Sequence, residues 1–318
     1  MTRIEVGARG AVELSPYLLG NLRAVHGSRL DSWLAALPET LATVLDRLDA
    51  QIAPGSPPLS YHLVFFADRT DGTGVVVKCT VPNDEQPAEL AAVHALSDAG
   101  IGPRLLWSDL RLGALAMERV IPGEMLPREM PSLEDDAANT ILLATLARRM
   151  AAEVDVGMWC DMLVPVRRHT RALDEVDEAS TLWSLHRDDI LHARRLRDDM
   201  LADSHQLCVF LHGDLQHHNV LSDGSGGVRV IDPKGLIGPA GYEFGMLTWN
   251  PPYIQHHPDL AAVEQQRIDI WSEIVDVPRD TLRDWAYVAN VVSACWALRG
   301  GAVPSHDAMM LATTIRDL

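Results

Sequence analysis

The stretch Leu211-His-Gly-Asp-Leu-Gln-His-His-Asn-Val-Leu221, followed by Val228-Arg-Val-Ile-Asp-Pro-Lys-Gly235, decides how the rest of the chain is read. Residues 208–211, 219–221 and 228–231 are short apolar runs separated by polar loops, the pattern of three short strands. The first loop holds Asp214 and Asn219 five positions apart, and Asp232 ends the last run thirteen positions after Asn219. Toward the N-terminus, Leu34, Leu37, Leu41, Val44, Leu45 and Leu48 recur at helical spacing, so the first fifty residues read as helical. A Pro/Gly/Ser stretch at 53–58 breaks that pattern. The runs 60–66 and 73–79, joined by Asp68-Arg69-Thr70-Asp71-Gly72, then read as a hairpin, and 114–120 as a further strand. Pro87 suits the first turn of a helix reaching about Ser97. Helical periodicity dominates from there on, at 134–154, 259–275 and 279–298.

An Asp, an Asn five residues later and an Asp at a strand end supply what phosphoryl transfer needs. One carboxylate orients a hydroxyl and takes its proton, and two oxygens hold Mg²⁺. Asp214 fits the first role, and Asn219 and Asp232 the second. Upstream, Lys78 closes the apolar run Val75-Val-Val, where exposed-surface logic would not put a lysine. In a kinase such a lysine contacts the α- and β-phosphates and is held by a Glu of the next helix. Glu85 precedes Pro87, whereas Glu89 shares a helix face with Val93 and Leu96 and, pointing toward the core, needs a partner. Glu89 is therefore assigned to Lys78.

His212-Gly213-Asp214 with Asn219 and Ile231-Asp232 resembles the aminoglycoside phosphotransferase signature, in which Gly replaces the Arg of protein kinases. Asp232-Pro233-Lys234-Gly235, Gly241-Tyr242-Glu243-Phe244-Gly245 and Asn250-Pro251 are similar to the streptomycin 6-phosphotransferase and hydroxyurea-phosphotransferase branch, as is the region of Trp285 and Ala294-Cys-Trp296. The resemblance, over residues 30–318, implies an α+β, two-lobed protein-kinase-like fold with a small antiparallel-sheet N-lobe (1–120) and a larger, mostly helical C-lobe (121–318). It implies ATP with Mg²⁺, and a small-molecule hydroxyl acceptor that is amphipathic or cationic. No G-x-G-x-x-G precedes Lys78, so the turn from Ser60 to His62 is assigned to the phosphates, by backbone N–H. Glu118 and Val120, in the connection between lobes, are placed against the adenine edge.

Other residues have plainer readings. His212 reads as a buttress of the loop, His217 and His218 as loop histidines without zinc spacing, and Glu243 as either a brace of the catalytic loop or a helix cap. Lys234 has two readings, a contact to a phosphate or substrate acid, or a solvated lysine, the second being the default. The formal charge of −17 disfavours nucleic acid and anionic membrane surfaces and would attract a cationic substrate. Four scattered cysteines, no signal-peptide pattern and no membrane-length apolar run point to a soluble, cytoplasmic setting. Within the same fold a sugar, amino-sugar or other metabolite kinase competes with an antibiotic kinase. From a different class comes a nucleotide-binding pseudokinase, which the intact Lys78, Asp214, Asn219 and Asp232 argue against.

Overall fold

The computed structural model describes residues 2–55, 57, 61–127, 129–203, 208–299 and 306–318. The chain opens with a hairpin, β1 (Thr2–Glu5) and β2 (Ala11–Leu14), paired from Thr2↔Leu14 to Glu5↔Ala11. This corrects the wholly helical reading of the first fifty residues: two four-residue strands around a glycine turn lie below the length at which alternation is legible. Helices α1 (Pro16–His26) and α2 (Arg29–Leu48) come after it. The Ser15 hydroxyl caps α1 by accepting from the Leu18 N–H at 3.1 Å. In α2, Leu30, Trp33, Leu37, Leu41, Val44, Leu45 and Leu48 form one buried stripe.

That stripe covers one face of an antiparallel sheet ordered β3-β4-β5-β7-β6, comprising β3 (Ala50–Ile52), β4 (Leu63–Arg69), β5 (Gly74–Cys79), β6 (Leu105–Asp109) and β7 (Ala114–Glu118). Strand alternation sorts β5 into two sets. Val75, Val77 and Cys79 join the core under α2, so Lys78 takes the opposite face, toward α3 (Gln86–Asp98). On that second face Val93 of α3 packs on Leu115 and Met117 of β7. Ala91, Ala92, Ala95 and Leu96 of α3 turn instead to the core of the helical part. Helix α3 thus packs on the sheet's second face and on the helical core at once, and ties the sheet to the helices.

The chain then runs through α4 (Leu133–Glu153), the short helices α5 (Val156–Trp159) and α6 (Val166–His169) with β8 (Val164–Pro165) between them, and α7 (Thr181–Ala202). Strands β9 (Cys208–Leu211), β10 (Val220–Ser222), β11 (Val228–Val230) and β12 (Leu236–Pro239) come next. Helices α8 (Leu260–Val275), α9 (Arg279–Arg299) and α10 (His306–Arg316) close the fold. The expected single island of three strands is two units: the hairpin β10–β11, and a sheet ordered β8-β12-β9. β12 pairs antiparallel with β9 and parallel with β8, which pins the loops on either side of it. Among the described residues no helix is long and apolar enough to cross a membrane.

Candidate active site

The site lies where β5, α3, the 212–219 loop and the 231–235 turn meet. Lys78, only 6% exposed, forms ion pairs with Glu89 of α3 and with Asp232. Burial works against its charge, but the two carboxylates outweigh it and push its pKa up. Its ammonium carries three N–H donors and, among the described residues, has two carboxylate partners, one fewer than it can serve. Burial likewise works against ionised Asp232, and the Lys78 and Lys234 cations override it, holding that carboxyl well below the usual range.

Asp232 does not end a strand as expected. β11 stops at Val230, and Asp232 sits two residues beyond it with φ +60°, a left-handed conformation that costs a non-glycine residue about 1–2 kcal/mol. The turn is drawn against α3 because residue 235 is glycine. Its φ is +70°, and a Cβ there would lie 2.3 Å from the Ala88 carbonyl oxygen. Any side chain at 235 would therefore push the Asp232 turn away from the helix that carries Glu89.

The 212–219 loop is held from outside by the Ile231 carbonyl and the Glu243 carboxylate. His212 donates from Nε2 to the Ile231 carbonyl at 2.9 Å, and its Nδ1 accepts from the Asp214 N–H at 3.2 Å. Burial lowers its pKa to about 4, so it is neutral and acts as the expected buttress. Gly213, at φ +78°, turns its N–H onto the Glu243 carboxylate at 3.0 and 3.3 Å, and a Cβ there would meet Leu236 at 2.7 Å. Glu243 also accepts from the backbone N–H groups of His212 and Leu215, yet burial still pushes its pKa up to about 7. Of its two readings, the brace is the one the geometry matches.

Asp214 accepts from Gln216 Nε2 at 2.7 Å, and Asn219 Nδ2 donates to the Asp214 carbonyl at 2.8 Å and to its Oδ2 at 3.2 Å. Burial raises its pKa, and so does Asp232, while Lys234 lowers it. Because Asn219 turns its Nδ2 to Asp214, its Oδ1 is left without a hydrogen-bond donor among the described residues. Asp232 uses Oδ1 for Lys78 and keeps 37% of its side chain exposed. These are hard oxygen donors of the kind Mg²⁺ takes one or two at a time, completing its shell with phosphate and water. Among the described residues no cluster of three His, Cys, Asp or Glu could hold a metal alone.

The remaining expected residues divide. His62 lies at the site, its Nδ1 3.1 Å from the Thr80 hydroxyl. Burial and the Lys78 charge push its pKa down to about 3. Ser60 lies outside the described residues. Glu118 ends β7, exposed, with its N–H on the Arg104 carbonyl, and the Arg119 N–H meets the Gly74 carbonyl, both at 2.9 Å. The Val120 N–H has no backbone acceptor among the described residues. Gln216 stands at the site without having been placed there from sequence, and Lys234, read by default as a solvated lysine and otherwise as a phosphate or substrate contact, lies beside the catalytic loop. His169 packs behind the site, with its Nδ1 2.9 Å from the Tyr242 hydroxyl and its pKa lowered to about 4 by burial and, less, by the Lys234 charge. Local spacing carries no signal for His169, which comes from α6, far upstream of the loop.

A family model described as aminoglycoside/hydroxyurea antibiotic resistance kinase matches residues 56–301. The chain is similar to the streptomycin 6-kinase of Streptomyces glaucescens, at 28% identity over 96% of this chain and 97% of the relative. It is 26% identical to the hydroxyurea phosphotransferase of Kitasatospora aureofaciens, over 92% of this chain and 83% of that one. In fold it is similar to the choline kinase LicA from Streptococcus pneumoniae, with a TM-score of 0.62 at 11% identity over 92% of this chain and all of LicA.

Proposed function

The chain belongs to the aminoglycoside/hydroxyurea antibiotic resistance kinase family, and from that premise we propose that it transfers the γ-phosphoryl group of ATP to a hydroxyl of a cationic, aminoglycoside-like small molecule. Residues 1–120 form the nucleotide lobe in this reading, and 121–318 carry the catalytic loop and the acceptor site. The observation that carries it is the convergence of Lys78, Glu89 and Asp232 beside Asp214 and Asn219. The third Lys78 N–H faces the nucleotide's phosphates, with the turn ending at His62 beside them. Glu118 and Val120 offer backbone groups to the adenine edge. Asn219 Oδ1 and Asp232 would hold Mg²⁺, which would supply charge neutralisation to the phosphates.

Asp214 aligns the acceptor hydroxyl and takes its proton as the oxygen bonds to the γ-phosphorus and the bond to the bridging β–γ oxygen breaks. ADP leaves, and the phosphate ester remains on the acceptor. A raised pKa makes Asp214 a better proton acceptor than an ordinary carboxylate, while the Gln216 and Asn219 amides keep it aimed. The net charge of −17 favours a cationic aminoglycoside over neutral hydroxyurea. An ADP-release assay over streptomycin, other aminoglycosides, hydroxyurea and neutral sugars tests this, with turnover expected for a streptomycin-class acceptor. Turnover of neutral sugars alone would replace the acceptor assignment with a metabolite kinase.

A further inference from the structure

The loop from His212 to Asn219 contains no lysine or arginine, and its position two beyond Asp214 is Gln216, which is bonded to that aspartate. Lys78 is already shared by two carboxylates. A phosphoryl group in flight spreads negative charge over three equatorial oxygens, and an active site offsets it with preplaced cations. Lys234 is placed to be one. Its backbone N–H donates to the His212 carbonyl at 2.7 Å, which fixes residue 234 against the catalytic loop. A Cβ added at Gly213 would come within 3.1 Å of the Lys234 Cβ, so the lysine stem starts from the flank of the residue before Asp214. Its side chain is exposed, and its ammonium group is attracted by Asp232 most strongly and then by Asp214, and repelled by Lys78.

Resting on the phosphotransfer reading above, we propose that Lys234 is a catalytic residue: a second phosphate-binding cation that contacts the transferred phosphoryl group beside Asp214 while Lys78 serves the inner phosphates. The turn Asp232-Pro233-Lys234-Gly235 then does two jobs within four residues. It presents a carboxylate for the metal and a cation for the group being moved.

The test compares wild type, Lys234→Met and Lys234→Arg for turnover and for calorimetric affinity toward Mg²⁺ with ADP and with the non-hydrolysable analogue AMP-PNP. In Lys234→Met, kcat is expected to fall on the order of 10²-fold. The preference for AMP-PNP over ADP should shrink roughly tenfold at unchanged ADP affinity, with Lys234→Arg recovering most of both. Equal weakening of ADP and AMP-PNP would show that Lys234 only supports the turn, and would overturn the proposal. So would unchanged kcat and unchanged preference. Failure of the wild type to bind either nucleotide would sink the phosphotransfer reading and this inference together.

Discussion

Two buried cations, Lys78 and Arg267, are built to opposite ends. Arg267 is fully buried between α4, α8 and the segment before Pro251, and all five of its N–H donors are satisfied. Nε and Nη2 meet Asp136 at 2.9 and 2.6 Å, Nη1 meets Glu264 at 2.9 Å and the Leu247 carbonyl at 3.3 Å, and Nη2 also meets the Asn250 carbonyl at 2.6 Å. Lys78 is nearly as buried but has only two carboxylate partners for its three donors among the described residues, and one of those carboxylates stays partly open. A closed cluster fixes the shape of the molecule, and an open one has capacity for a substrate. The comparison teaches that burial of charge does not mark an active site. What separates the two cations is that Arg267 has an acceptor for every donor, whereas Lys78 has fewer acceptors than donors among the described residues.

The contrast breaks most visibly at Asp214. Asp214→Asn should lower kcat by about 10³-fold, in the range of lost general-base catalysis, with a melting temperature close to wild type. If the variant turns over near the wild-type rate, Asp214 is not the base. Arg267→Met should do the reverse. It leaves Asp136 and Glu264 buried without their cation, for a loss of about 3–5 kcal/mol in denaturant melts, while kcat per folded molecule changes only a few-fold. An intact melting profile would mean the cluster is not structural.

A finer test uses proton linkage. Burial raises the Glu264 pKa from 4.5 to about 7 despite Arg267. Between those values the folded chain holds a proton that the unfolded chain has lost, so this group's contribution to stability falls as pH rises through that window and levels off above it. Glu243, raised to about 7, acts with the same sign. Stability of Glu264→Gln followed from pH 4 to 8 should therefore decline less steeply than wild type. Equal slopes would refute the assignment. Smallest of all is the exposed pair Arg23–Asp31 on the N-terminal helices, where Asp31→Asn should leave both melting temperature and turnover unchanged.

How much of this was legible depended on distance along the chain. Asp214, Asn219 and Asp232 fall within nineteen residues, and their spacing is imposed by the chemistry they serve, so one window displays them. Lys78 and Glu89 were reachable because an apolar strand and an amphipathic helix each left one charge on the wrong face. Glu243, thirty residues beyond the Gly213 N–H it accepts from, could be read only as either a brace or a helix cap, and Asp136 lies 131 residues before Arg267. No periodicity announces such partners, because periodicity assigns charges to the outside by default. Helix α7 escaped for a related reason. Thr181–Ala202 is rich in Arg and Asp, and its few buried residues include Arg197, which pairs with Asp174 and Asp198. The pairing of β12 with β9 was invisible because its sequence, Leu-Ile-Gly-Pro, is too short to alternate.

The strip of α2 leucines laid over the sheet has a practical corollary for anyone trimming this protein. Residues 6–50 supply more than half of the buried side chains of the core that backs Lys78, and α10 contributes Ala308, Met309, Ala312 and Ile315 to the other core. A fragment cut to the family-matched span of 56–301 would keep every catalytic side chain and discard the scaffolding at both ends. The span that the family model matches is smaller than the span that builds the two cores.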